Sequence, residues 1–243
     1  MSGRPLRSAM VMAAGLGTRM RPLTDTRPKA LVEVAGRPLI DHVLDRLSSA
    51  GVEHAVVNVH HFADQMEAHL SARRHPRITI SDERDLLLDS GGGIRKALPH
   101  LGDEAFFVAN IDSLWIEGEV PALETLKAFW RPEVMDVCLL LVRRGHGIGF
   151  DGPQGFFRDP EGRLRHSAEP DPPTPYANVG IQILKPSILA GAAIEPFSIV
   201  PYWKAAGERG RLYGAVMEGF WMHVGDPAAR EEAEALLARD GGA

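Results

Sequence analysis

The chain has 243 residues, a length that a single α/β domain can fill around one core. Hydrophobic residues make up 44% and charged residues 24%, the balance of a globular protein rather than a disordered one. A net charge of −5 excludes the broad basic surface of a general nucleic-acid binder. The single cysteine, Cys138, excludes an internal disulfide framework and a cysteine-rich metal site. No apolar run approaches the about 20 residues that span a bilayer. The apolar segment after Arg4 and Arg7 meets Gly15, Gly17 and Arg19 too early for a signal-peptide core. A cytoplasmic protein with no membrane partner is the expectation.

Residues 8–14 form a short apolar run that stops at Gly15 and read as a buried first strand. A polar loop rich in Gly and Pro follows, from 15 to 29. Apolar residues at helical spacing predict a helix over 38–50, with Pro38 in its first turn and Gly51 just past its end. A strand at 55–59, a helix at 62–71 and a strand at 77–81 come next. Three glycines at 91–93 then open a short helix over 94–98. A buried strand at 105–109 ends at Asn110 and Asp112, and another covers 136–142. Residues 145–162 read as loops and small strands that cover a substrate. A strand at 176–184, a helix at 198–206 and strands at 212–217 and 220–224 follow. A closing helix over 226–239 has Asp226 as its N-cap and Pro227 at its first position. Strands alternating with helices predict a mostly parallel sheet covered on both faces.

The loop after the first strand carries the sharpest chemistry. Gly15 and Gly17 let the backbone turn tightly and bring N–H groups to a ligand. Arg19 adds a guanidinium that can hold phosphate oxygens bidentately, and Lys29, after Pro28, adds a point charge. The loop is not a Walker loop, because no Gly-Lys-Ser/Thr closes it. It is not the dinucleotide fingerprint either, because the third glycine is missing. Asp112 lies just past the carboxyl end of a buried strand, where open α/β sheets bind ligands. His60 and His61 form a pair without a nearby third ligand and are read as surface or capping residues. Cys138, in an apolar run, reads as a buried small hydrophobe.

The run Val11-Met12-Ala13-Ala14-Gly15-Leu16-Gly17-Thr18-Arg19-Met20-Arg21-Pro22-Leu23-Thr24 is followed by Arg27-Pro28-Lys29-Ala30-Leu31 and Val34-Ala35-Gly36-Arg37-Pro38-Leu39-Ile40. Together they closely resemble the sugar-1-phosphate nucleotidyltransferases. Within these the chain is most similar to the short bacterial enzymes that make UDP-N-acetylmuramic acid, and to their mannose-1-phosphate guanylyltransferase relatives. The resemblance covers nearly the whole chain. It implies a Rossmann-like three-layer α/β/α fold with a mostly parallel mixed sheet, built as one domain. In that domain 1–112 would be the nucleotide half, 113–226 the sugar half and 226–239 a closing helix. No residues remain for an added β-helix domain, so no acetyltransferase activity and no β-helix-driven trimer are expected; a monomer or small homo-oligomer is.

The same resemblance assigns the site. Gly15, Gly17, Thr18 and Arg19 would cradle the nucleotide's phosphates, Ala13 and Ala14 would also be nucleotide-binding, and Lys29 would sit on the α-phosphate and the sugar phosphate. Ala30 departs from a usual proline, with the cation kept. Leu88-Asp89-Ser90-Gly91-Gly92-Gly93-Ile94 is similar to a Glu-Thr-Gly-Gly-Gly turn that holds the nucleobase. Asp89, Ser90 and Gly91 would serve the base there, with the glycines allowing flat approach of backbone to a ring. Asp112 would hold Mg²⁺, or Mn²⁺, between the phosphates. Its neighbour Ile111 stands where the family has a small residue, and its side chain either crowds the metal or faces the core. In Trp221-Met222-His223-Val224-Gly225-Asp226-Pro227, His223 occupies the place of the family's second metal carboxylate. Three readings stay open: a metal ligand, a holder of metal-bound water or sugar phosphate, or a mark of impaired catalysis.

Asn110, Phe156, Asn178 and Gly180 would contact the sugar. Phe156 and Trp115 could stack on sugar or base, with a core role as the alternative. Many relatives carry a Glu-Lys-Pro motif whose lysine grips the sugar phosphate; here the stretch reads Ala168-Glu169-Pro170-Asp171. The expected reaction joins an NTP, UTP or GTP, to a sugar 1-phosphate and releases pyrophosphate. The preferred pair is UTP with N-acetylmuramate 1-phosphate, and the alternative is GTP with mannose 1-phosphate. Outside that reaction stand a nucleotide-sugar sensor that binds without turnover, and an enzyme for another phosphorylated acceptor such as phosphocholine.

Overall fold

The computed structural model describes residues 6–150, 155–167 and 174–240. Arg4 and the stretch Ala168-Glu169-Pro170-Asp171 lie outside them. In chain order the strands of the first half are β1 (Ser8–Met12), β2 (Glu33–Val34), β3 (Arg37–Pro38), β4 (His54–Val59), β5 (Arg77–Asp82), β6 (Phe106–Asn110) and β7 (Ser113–Ile116). Those of the second half are β8 (Val137–Arg143), β9 (Gly147–Ile148), β10 (Gly155–Arg158), β11 (Leu164–Ser167), β12 (Tyr176–Leu184), β13 (Leu212–Val216) and β14 (Phe220–His223). The helices are α1 (Leu39–Ser49), α2 (Ala63–Ser71), α3 (Asp89–Leu101), α4 (Ala122–Phe129), α5 (Val200–Glu208) and α6 (Pro227–Asp240).

The main sheet runs β5-β4-β1-β6-β12-β8-β13, and the β10–β11 hairpin joins the early part of β12. Strands β5, β4, β1, β6, β8, β13 and β10 point one way; β12 and β11 point the other. The sheet is therefore mixed and mostly parallel, as expected. Its strands are apolar on both faces because helices cover both. Ala9 and Val11 of β1 face one core cluster with α1, α2, α4 and α6, while Met10 faces the other with α3 and α5. A second, small sheet, β7-β14-β9, closes the carboxyl end of β6.

Most boundaries differ from the predicted ones by one or two residues. The larger correction is α3. It begins at Asp89, contains all three glycines and runs to Leu101, where the reading had the glycines open a short helix over 94–98. Glycine costs about 1 kcal/mol per helical position, so local propensity argues against a helix that tertiary packing imposes. Strand β7 and helix α4 were not anticipated. The region 145–162 holds the short strands β9 and β10 among its described residues, and β10 pairs with β12 of the main sheet.

Candidate active site

Strand β1 ends at Met12, next to Asn110 at the end of β6, and the chain leaves it into the glycine loop. The loop, Lys29 and the 110–112 turn enclose a cavity of about 250 Å³ at the carboxyl end of the parallel strands. Gly17 has φ +65°, and a Cβ there would meet Lys29 Cβ and Thr24 Cγ2 at 3.0 Å. The buried Thr24 hydroxyl donates to the Gly17 carbonyl at 2.8 Å and clamps the turn. Among the described residues the amides of Gly15 and Leu16 have no hydrogen-bond acceptor, and the exposed Arg19 guanidinium has no ion-pair partner. The loop thus offers donors and one unneutralised cation to an anion.

Opposite it stands Asp112. The β7–β14 ladder pairs Ser113 with His223, and the Val224 amide donates to the Asp112 carbonyl at 2.8 Å. These bonds bring two parts of the chain 111 residues apart onto one carboxylate oxygen. Lys29 Nζ lies 2.7 Å from Asp112 Oδ2, and His223 Nε2 lies 3.3 Å from the same atom. His223 Nδ1 meets the Gly149 carbonyl at 3.0 Å, and because a carbonyl only accepts, Nδ1–H is the donor there and fixes the ring with Nε2 toward Asp112. A carboxylate, an imidazole and an ammonium thus meet at one oxygen atom. Burial alone would raise the Asp112 carboxyl, but the His223 contact and the Lys29 charge outweigh it and hold the group well below the usual carboxylate range. The His223 ring stacks on Trp221 at 5.8 Å between centroids, and Trp221 Nε1 donates to Ser113 Oγ at 3.3 Å.

Ile111 is 5% exposed and packs in the core, and it also lines the cavity beside Asp112. Asp226 Oδ1 accepts the Ala229 amide at 2.9 Å, the expected helix cap. His60 and His61 do not gather with a third His, Cys, Asp or Glu side chain into a metal-holding group among the described residues. His60 Nδ1 donates to the Glu83 carbonyl at 2.7 Å instead.

A second lobe of about 280 Å³ shares Met12, Gly15 and Asn110 with the first and is walled by Ala14, Asn58, Leu87, Asp89 and Ser90. Sequence reasoning missed its organiser, Asn58, which is buried in the apolar strand β4. Asn58 Oδ1 accepts the Ala13 and Ala14 amides at 2.7 and 3.3 Å, and Nδ2 donates to Glu83 Oε1 at 2.8 Å. Glu83 Oε2 accepts the Leu88 amide at 3.0 Å. Asp89 takes φ +58° and bonds the Ser90 amide at 2.5 Å, and Ser90 Oγ accepts the Ile199 amide at 3.1 Å.

The glycines after them serve the protein rather than a ring. The Gly91 and Gly92 amides donate to the Phe197 carbonyl. A Cβ on Gly91 would lie 2.3 Å from the Phe197 ring, one on Gly92 2.1 Å from the Glu195 carbonyl oxygen, and one on Gly93 2.9 Å from Glu83 Oε1. Gly91 therefore stands behind the lobe wall that Asp89 and Ser90 form. Asp89 and Ser90 face the lobe as expected.

On the sugar side, Gly180 has φ +81°, and a Cβ there would meet Asn110 Nδ2 at 2.9 Å and Ser113 Oγ at 3.0 Å. It sits in a β-bulge of β12, where Asn178 Oδ1 accepts the Gly180 amide at 3.0 Å. Asn110, Asn178 and Gly180 are thereby brought together beside Asp112. Phe156 is not: it is 3% exposed, in the core against His166 and Trp203. Trp115 is also core, under the Arg46 guanidinium at 4.4 Å.

A glycine loop with an unpaired cation, a carboxylate–imidazole corner and an adjoining lobe able to take a ring define the cleft of a nucleotidyltransferase. The chain belongs to the MobA-like NTP transferase family, whose domain it matches over residues 9–167. It is 54% identical to the N-acetylmuramate alpha-1-phosphate uridylyltransferase of Caulobacter vibrioides over 95% of this chain and 96% of that one. It is 35% identical to the Neisseria meningitidis protein of the same name, over 94% and 97%. A mannose-1-phosphate guanylyltransferase catalytic subunit beta of Danio rerio is 28% identical over 90% of this chain and 61% of its own. The inositol-1-phosphate CTP transferase of T. maritima shares the fold, with a TM-score of 0.78 at 20% identity over 96% of both chains. No helix among the described residues is long and apolar enough to cross a membrane.

Proposed function

We propose that the cleft transfers the uridylyl group of UTP to N-acetylmuramate 1-phosphate, giving UDP-N-acetylmuramate and pyrophosphate. The observation that carries the reading is the meeting of Lys29 and His223 on one Asp112 oxygen, beside a loop with free amides and an unpaired Arg19. The substrate pair follows from the 54% identity to a uridylyltransferase along almost the whole chain.

The reaction brings one anion against another. An oxygen of the sugar phosphate attacks the α-phosphorus, the bond from that phosphorus to the bridging oxygen breaks, and pyrophosphate leaves with the electron pair. The nucleophile is already ionised, so no general base is needed. Catalysis reduces to alignment and charge neutralisation. Arg19 and the loop amides hold the departing phosphates, and Lys29 neutralises the approach of the sugar phosphate. Asp89 and Ser90 take the base; Asn110, Asn178 and the Gly180 backbone take the sugar.

A divalent cation, Mg²⁺ or Mn²⁺, would be held by the Asp112 carboxylate and the His223 imidazole, beside the Lys29 ammonium that meets the same oxygen. One carboxylate and one oriented imidazole leave the remaining coordination positions to phosphate oxygens and water. Bound there, it would neutralise the phosphate oxygens that meet in the reaction.

The test is pyrophosphate release by the purified protein over UTP, GTP, CTP and dTTP, against N-acetylmuramate, mannose and glucose 1-phosphates, in Mg²⁺ and then Mn²⁺. Turnover confined to UTP with N-acetylmuramate 1-phosphate is expected. Turnover only with GTP and mannose 1-phosphate would overturn the substrate assignment. Nucleotide binding with no turnover in any pair would make the chain a sensor.

A further inference from the structure

The row of residues leading away from the reacting phosphates ends on an unpaired guanidinium. From Gly180, beside Asn110, strand β12 runs back through Asn178 to Tyr176, at roughly 6–7 Å per two residues. Tyr176 stands opposite Arg143 across the antiparallel β8–β12 ladder, and opposed residues share a face. The Arg143 guanidinium carbon lies 5.7 Å from the Tyr176 ring centroid, so the ring backs the cation. Arg143 is exposed, and its guanidinium has no hydrogen-bond or ion-pair partner among the described residues.

The other cations near this row are committed or face elsewhere. Arg144 Nε donates to the Thr174 carbonyl at 2.6 Å. Arg158 Nε donates to the Gly214 carbonyl at 2.8 Å. Phe156 opposes Tyr176 and His166 opposes Phe156, so those rings share the row's face. Arg165, one residue away and stacked on Phe157 at 4.3 Å, points to the opposite face. Burial, and then the Lys204 charge, lowers the His166 pKa below the ordinary histidine value, so its ring is no rival cation. Lys204 offers an ammonium on α5 rather than a planar fork.

We propose that Arg143 binds the carboxylate of the 3-O-lactyl ether, the one group that N-acetylmuramate adds to N-acetylglucosamine, and so selects the sugar 1-phosphate. The inference rests on the substrate reading above. A guanidinium without another partner matches a carboxylate bidentately, while a hydroxyl in the same place gains little from it.

Steady-state kinetics of wild type, Arg143→Gln and Arg143→Lys test this. N-acetylmuramate 1-phosphate is the substrate, and N-acetylglucosamine 1-phosphate is scored as substrate or competitive inhibitor. In Arg143→Gln the KM for the muramate should rise at least about tenfold, as loss of a charge-assisted fork implies. The KM for UTP and the constant for the glucosamine should hold, and Arg143→Lys should recover part of the loss. An equal loss on both sugars, or an unchanged muramate KM, would overturn the assignment. A wild type that does not turn over the muramate at all would overturn the substrate reading itself, and this inference with it.

Discussion

Around Asn58 every polar group is answered by protein: the Ala13 and Ala14 amides, Glu83 and the Leu88 amide close a ring of bonds at the base of one lobe. Around Asp112 the groups are left short. Lys29 and His223 share a single oxygen, Arg19 has no partner among the described residues, and the Gly15 and Leu16 amides stand open. On the proposed reading the first lobe takes the nucleobase, which is the same before and after transfer, so that lobe can be rigid and fully satisfied. The phosphates change charge and partners during the reaction, so their lobe keeps donors and cations in reserve. Changes in the first lobe should therefore be felt as stability, and changes in the second as turnover.

The largest stability effect is expected at Asn58. Asn58→Ala strands two amides and a buried carboxylate oxygen, a loss of about 2–4 kcal/mol. Urea unfolding should show a lower midpoint, while turnover per folded molecule changes little. An unchanged midpoint with lost turnover would reverse the assignment of the two lobes.

Gly91→Ala should follow. Its Cβ would press on the Phe197 ring at 2.3 Å, an overpacking cost of about 1–3 kcal/mol, with a smaller change in the KM for UTP than in the melting temperature. A KM effect with full stability would instead return Gly91 to the ligand-contacting wall.

His223→Asp belongs to the other lobe. A second hard oxygen should lower the Mg²⁺ concentration for half-maximal rate by about tenfold and reduce the Mn²⁺ to Mg²⁺ activity ratio, without moving the melting temperature. A metal titration that overlays the wild type would remove His223 from the cation corner.

The smallest effect is a null one. Burial pushes the Cys138 thiol up to about 12, so iodoacetamide at pH 8 should label it only after unfolding. Labelling of the folded protein would show that the core around β8 opens.

What could be read from residues alone divides along the same line. Gly15, Gly17, Arg19 and Lys29 were legible because phosphate chemistry needs glycine and fixed cations in a contiguous loop. Asp112 was legible because it follows a buried strand. Asn58 was not, because one amide in an apolar strand gives no local sign that it faces two amides and a carboxylate. The three glycines at 91–93 were seen, but their reason was misread. A glycine needed for a ligand and one needed for Phe197 or Glu195 look identical until the partner is known. Phe156 failed similarly, since an aromatic residue near a substrate-binding segment fits a core as well as a sugar. The β7–β14 ladder depends on pairing across more than a hundred residues, which no local pattern encodes.

The central claim is that the charges gathered around Asp112 carry the chemistry, and Lys29→Ala tests it most directly. Pyrophosphate release from UTP and N-acetylmuramate 1-phosphate would be measured beside UTP affinity and melting temperature. A fall in turnover of about 10²–10³-fold, with the melting temperature and UTP affinity nearly held, is the result the account predicts. Turnover near that of the wild type would contradict it.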